Sequence, residues 1–540
     1  MRNRSASAAP QQILPGEGAW PLHDSAATRR IETAALAAQA EPQALMLRAG
    51  LATARLALAL APHAQRIDIV CGPGNNGGDG LVAARILHGA GKTVRVWLLA
   101  TLDAGGHPRL PADAQAALAQ ARAAGVTISA ELPERLDGDL LLDALLGLGA
   151  RRAPEGALAA AIRRLNAASA PVLAIDLPSG LQADTGAVLG AEAVRAQHTL
   201  SLLTLKPGLF TGSGRDRAGS IWFDDLGTAP GTEAASARLS GSASLRHVLP
   251  MRAHATHKGS YGDLLTVGGA PGMAGAALLA ASAALAAGAG RVYLSTLDAA
   301  SPPLDPLRPE LMHRPAGWRP EPAWLQGATV VCGCGGGEAV RAALPLWLAH
   351  AGRLVLDADA LNAIAAEPAL QTALRARGAR DGVSVLTPHP LEAARLLDVA
   401  VVAVQADRIA AARALGERFL SVVVLKGSGT VVAAPARPGL PGEIAINPSG
   451  NAMLASAGTG DVLAGWLGGL WSRHAGSRAA GDNESPNSTA QALAFAAATA
   501  AVWLHGHAAD RAAARGGGAL PLRAADLIEA MREAASPMPE

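Results

Sequence analysis

The chain of 540 residues is half hydrophobic and 17% charged, too long for one ordinary core and too apolar to be disordered as a whole, so two large globular domains are expected. Its 46 Lys and Arg nearly cancel 44 Asp and Glu, which removes the electrostatic case for nucleic acid or an anionic membrane surface. Three cysteines, Cys71, Cys332 and Cys334, make no disulfide framework and point to a reducing cytoplasm.

Met1-Arg2-Asn3-Arg4 has charge but no apolar segment behind it, so it reads as a frayed tail and not a secretory signal. From residue 67 short apolar runs alternate with helical segments: 67–71, a helix over 81–88, then 94–99, 140–146 and 172–175. Runs without strict alternation, each followed by a helix, predict central strands of a parallel sheet covered on both faces, a Rossmann-like three-layer α/β domain.

Cys71-Gly72-Pro73-Gly74-Asn75-Asn76-Gly77-Gly78-Asp79-Gly80 lies between a predicted strand and a predicted helix, at the strand end where glycines let backbone approach a phosphate. Two more strand ends carry carboxylates, Asp143 in Asp143-Ala144-Leu145-Leu146-Gly147-Leu148-Gly149 and Asp176 in Asp176-Leu177-Pro178-Ser179-Gly180. Parallel strands bring their carboxyl ends to one edge, so Asp143 and Asp176 are expected to converge with the Asn-Asn-Gly-Gly tract. Arg151 and Arg152 read equally well as phosphate ligands or as a solvated loop pair.

These tracts, with Leu205-Lys206-Pro207-Gly208, resemble the NAD(P)H-hydrate epimerase family over roughly residues 25 to 228. The resemblance implies potassium ligation by Asn76, Asp143 and Ser179. It implies binding of the hydrated dinucleotides NADHX and NADPHX by Asn75, Asn76, Gly77, Gly78 and Asp79, by Gly147, Leu148 and Gly149 in the following loop, and by Asp176. Asp176 is the implied acid/base residue, and Leu148 stands where that family often has Thr.

Between Gly227 and Leu245 the chain turns to Thr, Ala, Pro, Gly and Ser with little periodicity. The expected organisation is a first domain over 1–230, a linker over 231–245 and a second domain over 246–540. Residues 264–290 carry no charge, yet Pro271 and several glycines favour a buried strand and helix over a membrane span. Further strands are expected at 264–267, 329–332, 354–356, 383–386 and 422–425, with helices at 338–350, 406–419, 462–471 and 490–507 and a surface excursion over 476–489.

Cys332-Gly333-Cys334 lacks the two-residue gap and second ligand pair of a zinc site and is read as a strand end. Thr387-Pro388-His389-Pro390 sits at another strand end, where His389 weighs evenly between structural and ligand-facing roles. Lys426-Gly427-Ser428-Gly429-Thr430 is not a Walker loop, because Lys precedes the glycines and no helix follows, but a turn between strands there can offer Lys and Thr to a phosphate. Gly458-Thr459-Gly460-Asp461 precedes an apolar run, placing a carboxylate beside a potential anion cradle at a helix start.

Together with His257-Lys258-Gly259, Gly268-Gly269 and Leu356-Asp357-Ala358-Asp359, these tracts resemble the ADP- or ATP-dependent NAD(P)H-hydrate dehydratases, of ribokinase-like α/β fold, over residues 248 to 535. The resemblance implies an adenine nucleotide held by Lys426, Gly427, Ser428, Gly429, Thr430 and Gly460. It implies hydrate contacts from Ala276, Gly335, His389 and Asp461, with Asp461 the base, Mg²⁺ on the phosphates and ADP as co-substrate. Gly333-Cys334-Gly335-Gly336-Gly337 replaces that family's usual Gly-Pro-Gly-Leu-Gly. The expected activity is bifunctional repair of NADHX and NADPHX by a cytoplasmic homo-oligomer, with neither nucleic acid nor membrane as partner. The alternative is a small-molecule kinase fused to a dinucleotide-binding regulatory module.

Overall fold

The computed structural model describes residues 9–14, 16, 18–38, 43–380, 382–474, 486–516 and 518–535. The expected tail at 1–4, and 476–485 of the expected surface excursion, lie outside them, while 486–489 already belong to the helix Pro486–Gly516. Contacts divide the chain into two compact units, one built from residues up to Leu14 with Trp20–Ala237, the other from Pro15–Ala19 with Arg238 onward.

In the first unit seven strands run parallel: β1 (Arg66–Cys71), β2 (Thr93–Leu98), β3 (Thr127–Ser129), β4 (Leu140–Ala144), β5 (Val172–Ile175), β6 (His198–Leu202) and β7 (Ser220–Asp224). Their order is β7-β6-β5-β4-β1-β2-β3, with Gln11–Gln12 antiparallel at the β7 edge. All five residues of β4 are buried, as a strand covered on both faces requires. Because the chain moves outward from β1 to β2 and β3 and then returns to place β4 on the other side, connections diverge above β1 and β4 and open a crevice at their carboxyl ends.

The second unit repeats the device. Its strands are β8 (Ala237–Leu239), β9 (Asp263–Gly268), β10 (Arg291–Thr296), β11 (Met312–Arg314), β12 (Thr329–Cys332), β13 (Arg353–Leu356), β14 (Val383–Leu386), β15 (Val422–Leu425), β16 (Val431–Ala434) and β17 (Glu443–Ile446), in the order β11-β10-β9-β12-β13-β14-β15-β16-β17-β8. They are parallel from β11 through β15, while β15, β16 and β17 form antiparallel neighbours. The switch falls between β9 and β12, and the ends of β13, β14 and β15 line up beside it.

Several expectations need correction. The stretch 231–245 carries β8 and the start of the helix Ala243–Val248; the buried-exposed-buried run of β8 is too short for its period of two to be read. The helix expected at 81–88 begins at Asn75, so Asn75 to Asp79 form its first turns instead of a loop. Likewise the helix expected from 462 runs Thr459–Ser472 and includes Asp461, while the one expected at 406–419 is two helices, Val401–Ala406 and Arg408–Phe419, with Asp407 capping the second. Among the described residues one helix, Ala490–Gly516, is long and apolar enough to cross a membrane, and 72% of its apolar window is buried within the protein.

Close packing fixes the helix that carries Asp461. A Cβ at Gly465 would lie 2.0 Å from Ala280 O on the helix Ala274–Ala286, so only glycine lets these two helices approach so nearly. Trp466 and Leu467 beside it are almost fully buried in the unit's main apolar cluster.

Candidate functional sites

At the first crevice the chain leaves β1 through Gly72, where a Cβ would sit 1.9 Å from Leu145 O, and enters the helix Asn75–Gly89 with Gly74 as an extended cap. The helix start therefore presses against the end of β4. Asn75 is exposed, whereas Asn76 is buried and neither its Oδ1 nor its Nδ2 finds a partner. Such an orphaned carboxamide inside a protein calls for a ligand.

Asp143, wholly buried on β4, accepts from Ser179 Oγ at 2.6 Å, from Ser179 N at 2.8 Å and from Leu145 N at 3.2 Å. Burial pushes its carboxyl up to about 6, against the pull of those donors. Asp176 follows β5 with φ 68°, a left-handed backbone rare outside glycine that turns the side chain into the crevice. One of its oxygens accepts from Leu148 N at 3.1 Å and the other pairs with the ammonium of Lys206. Lys206 is itself buried, with Nζ also donating to Leu202 O at 2.6 Å.

These groups border a cleft of about 690 Å³ that takes in Asn75, Asn76, Asp79, Gly147, Leu148, Gly149, Asp176 and Lys206, with Glu32 from the helix Ser25–Ala37. Burial, reinforced by the charges of Asp176 and Glu32, holds Asp79 well above the usual carboxylate range, and Glu32 is raised for the same reason. Gly77 and Gly78 do not line the cleft; they are buried where the helix meets Gly72 and Met46. Arg151 and Arg152 are exposed. Sequence reasoning gave no role to Glu32, nor to Lys206, whose ion pair with Asp176 spans 30 positions of the chain.

In the second unit Asp357 stands one residue past β13. Its Oδ1 accepts from Lys426 Nζ, one residue past β15, at 2.7 Å and from Thr387 Oγ1, one residue past β14, at 2.7 Å. Burial alone would lower the Lys426 ammonium, but Asp357 and Glu392 beside it outweigh that and raise it. The turn that follows holds Gly427 and Gly429 at positive φ, and the buried Arg408 guanidinium donates to Leu425 O at 3.1 Å and Lys426 O at 3.0 Å, fixing the lysine's backbone. Thr430 Oγ1 closes the turn on Gly427 O at 3.0 Å.

Gly458, with φ 87°, turns the chain into Thr459–Ser472, so the first amides of that helix are unpaired by the helix itself and carry its positive end. A Cβ on Gly460 would lie 3.5 Å from Lys426 Nζ, which puts this helix start beside the lysine. Asp461, in the first turn, is pushed up to about 6, by burial first and then by the charge of Asp357, with Cys334 and Lys426 opposing. His505 Nε2, half-buried, bonds Thr459 O at 2.9 Å and buttresses the turn from the helix Pro486–Gly516.

The structure brings Ala276 and Gly335 together, since a Cβ on Gly335 would lie 2.8 Å from Ala276 Cβ. His389 caps the helix Pro390–Leu397, its Nδ1 accepting from Leu391 N and Glu392 N at 3.1 and 3.3 Å, while Nε2 lies 3.2 Å from Glu392 Oε1. Burial and then Lys426 lower this imidazole, while Glu392 is raised to about 7 by burial. Cys334, fully buried, faces Asp357 Oδ2 with Sγ at 3.8 Å. The strand ends made Lys426 legible, but its ion pair with Asp357 spans 69 positions and gave no local signal.

The first unit thus holds a polar cleft, and the second a convergence of polar strand ends with a helix start, each at a topological switch, and the two together define a two-site α/β enzyme. Residues 42–208 match the family described as YjeF-related protein N-terminus, and residues 264–531 that described as NAD(P)H-hydrate dehydratase. The chain is 39% identical to the bifunctional NAD(P)H-hydrate repair enzyme of Escherichia coli over 91% of its length and 89% of that protein, and 37% identical to that of Coxiella burnetii over 96% and 99%. The ADP/ATP-dependent NAD(P)H-hydrate dehydratase of Bacillus subtilis, co-crystallized with ATP/Mg²⁺, is 26% identical over 54% of this chain and 94% of that one, with a TM-score of 0.39.

The chain belongs to the bifunctional NAD(P)H-hydrate repair enzymes. Its first unit is Rossmann-like and its second ribokinase-like.

Proposed function

We propose that the first unit interconverts the R and S forms of NADHX and NADPHX, and that the second dehydrates the S form with conversion of ADP to AMP and phosphate. The observation that carries the second half is Asp461 on the first turn of a helix whose start lies beside the Lys426–Asp357 pair. In the reaction Asp461 takes the proton of the C6 hydroxyl and that oxygen attacks the terminal phosphoryl of ADP, breaking its bond to the AMP leaving group. The ring nitrogen's electron pair then expels phosphate, a far better leaving group than hydroxide, and the C6=N1 iminium left behind loses its C5 proton to the departing phosphate or solvent, which restores the C5–C6 double bond of the dihydronicotinamide. Lys426 and the Gly458-Thr459-Gly460 amides meet the phosphoryl charge, and the Lys426 to Thr430 turn carries the nucleotide.

Mg²⁺ would supply positive charge to the phosphates, and its preference for substrate phosphates and water means that the nucleotide, more than the protein, would hold it. Among the described residues, the one convergent group of three candidate ligands contains a thiol, which Mg²⁺ does not favour.

For the first half, Asp176 is the acid/base residue and Lys206 positions it. Asn75 and Asp79 on the helix, with the 147–149 loop, border the space for the dinucleotide. The residues proposed for potassium fit a hard monovalent ion, since Asn76 Oδ1 is buried without a partner and Asp143 and Ser179 add oxygens. When bound, the ion supplies the positive charge that a buried Asp143 otherwise lacks. Melting in KCl should therefore exceed melting in tetramethylammonium chloride at equal ionic strength, and Ser179→Ala should erase the difference. Equal melting of the unaltered protein in the two salts removes the ion from this site.

The decisive assay mixes NADH hydrate with the protein, Mg²⁺ and ADP or ATP, and follows the return of reduced-nicotinamide absorbance. Full recovery with ADP is expected. No recovery with either nucleotide rejects the dehydratase reading in favour of a kinase of a stable alcohol, and recovery of the S fraction alone rejects the epimerase reading.

A further inference from the structure

Cys334 lies where three strand ends and a helix start converge, and its Sγ, a carboxylate oxygen of Asp357 and one of Asp461 all lie within 4.8 Å of one another. We infer that these three side chains form a binding site for a thiophilic divalent cation, zinc in the first place, inside the dehydratase cleft. The site is distinct from the Cys332-Gly333-Cys334 pairing that the sequence offers, because Cys332 belongs to β12 and is not part of the convergent group.

The two oxygens of Asp357 divide the work. Oδ1 is taken by Lys426 and Thr387, whereas Oδ2 faces the thiol at 3.8 Å. Tetrahedral zinc with bonds of about 2.3 Å to sulfur and about 2.0 Å to oxygen sets its ligands roughly 3.5 Å apart, so the Cys334–Asp357 spacing already nearly suits it. The widest separation must close by about 1 Å, a rotamer adjustment open to Asp461 at the partly exposed mouth of the site. Two carboxylates and a thiolate balance zinc plus the neighbouring Lys426 ammonium, so the bound state leaves no net buried charge. Three protein ligands leave a fourth position open toward the cleft. Binding releases the Cys334 thiol proton to solvent, which makes affinity rise with pH.

Zinc at this place occupies the carboxylate proposed as base, so it switches off dehydration while leaving the epimerase half running. That consequence rests on the function proposed above; the site itself does not.

The test uses the full chain without nucleotide. Zinc should bind in a calorimetric titration, and Cys334→Ser should weaken that binding at least tenfold while Cys332→Ser leaves it unchanged. Equal affinity in the unaltered protein and Cys334→Ser overturns the site. Should Cys334→Ser fail to fold, the Cys71→Ser/Cys332→Ser variant, whose only thiol is Cys334, must show a cadmium–thiolate charge-transfer band, and its absence is equally fatal. Zinc-loaded protein should lose at least tenfold in hydrate dehydration, recover it once EDTA has stripped the zinc and excess Mg²⁺ has been restored, and keep its epimerase rate. Cys334-dependent zinc binding by a protein that dehydrates no hydrate keeps the site and rejects the dehydratase reading instead.

Discussion

In the Asp461→Asn variant, hydrate dehydration is expected to fall by about 10² or more while ADP binding persists, because a positioned general base contributes on that scale. The amide keeps the size of the carboxylate and the helix start keeps its amides, so the nucleotide loses little. What disappears is the acceptor for the hydroxyl proton. The pH profile sharpens the test. Burial and the charge of Asp357 raise the Asp461 carboxyl to about 6, so in the unaltered enzyme the fraction of ionised base falls as pH drops through that value. Dehydration by the unaltered enzyme should therefore show an acid limb near pH 6, absent from the residual activity of Asp461→Asn. Turnover equal to that of the unaltered enzyme, or an unchanged acid limb in the variant, removes Asp461 from the role of base.

The electrostatics of this cleft explain why the base sits where it does. Burial first, and then repulsion from Asp357, lifts Asp461 toward a value useful near neutrality, while Lys426 is held against Asp357 Oδ1 and moderates it. A lysine already committed to one carboxylate oxygen still has donors to offer a phosphate. The helix start adds amides to the same place, so charge developing on a transferred phosphoryl group meets both a full and a partial positive charge.

The sequence exposed those parts of both sites that are local in the chain. Gly72 and Gly458 stand out because a close backbone approach at the first and a positive φ at the second restrict the residue to glycine, and each is followed by an apolar helical period. Parallel strands then do the rest of the placement, since every strand end meets one edge. The strand ends at Asp143, Asp176, Thr387 and Lys426 were legible for that reason. Their partners were not. Lys206 reaches Asp176, and Lys426 reaches Asp357, only because the order of strands differs from the order of residues, and no period in the sequence carries that information. Helix starts were misjudged by several residues where Asn and Gly, poor helix formers, begin Asn75–Gly89 and packing against Leu145 and Met46 overrides propensity. Cys334 was read beside Cys332 as a strand end, whereas its functional neighbours are carboxylates 23 and more positions away.

Asp176 and Lys206 should behave as a unit when either is altered. Asp176→Asn is expected to slow R-to-S interconversion by about 10² or more, with dehydration of the S form on the same chain as an internal control. Lys206→Met removes the ammonium paired with the largely buried Asp176, and breaking such a pair costs about 3–5 kcal/mol. That variant should melt lower as well as epimerise slowly. Lys206→Arg keeps the charge but not the compact head that also bonds Leu202 O, so it should restore much of the stability and little of the rate. A purely structural lysine would predict otherwise, with rate following stability in both variants. The double variant Asp176→Asn/Lys206→Met discriminates further: with the carboxylate gone there is no buried charge left unpaired, so it should melt above Lys206→Met alone while remaining as slow as Asp176→Asn. Epimerisation by Asp176→Asn at the rate of the unaltered enzyme would overturn the assignment, and the acid/base role would then pass to Asp79 or Glu32, the two carboxyls lining the same cleft that burial raises.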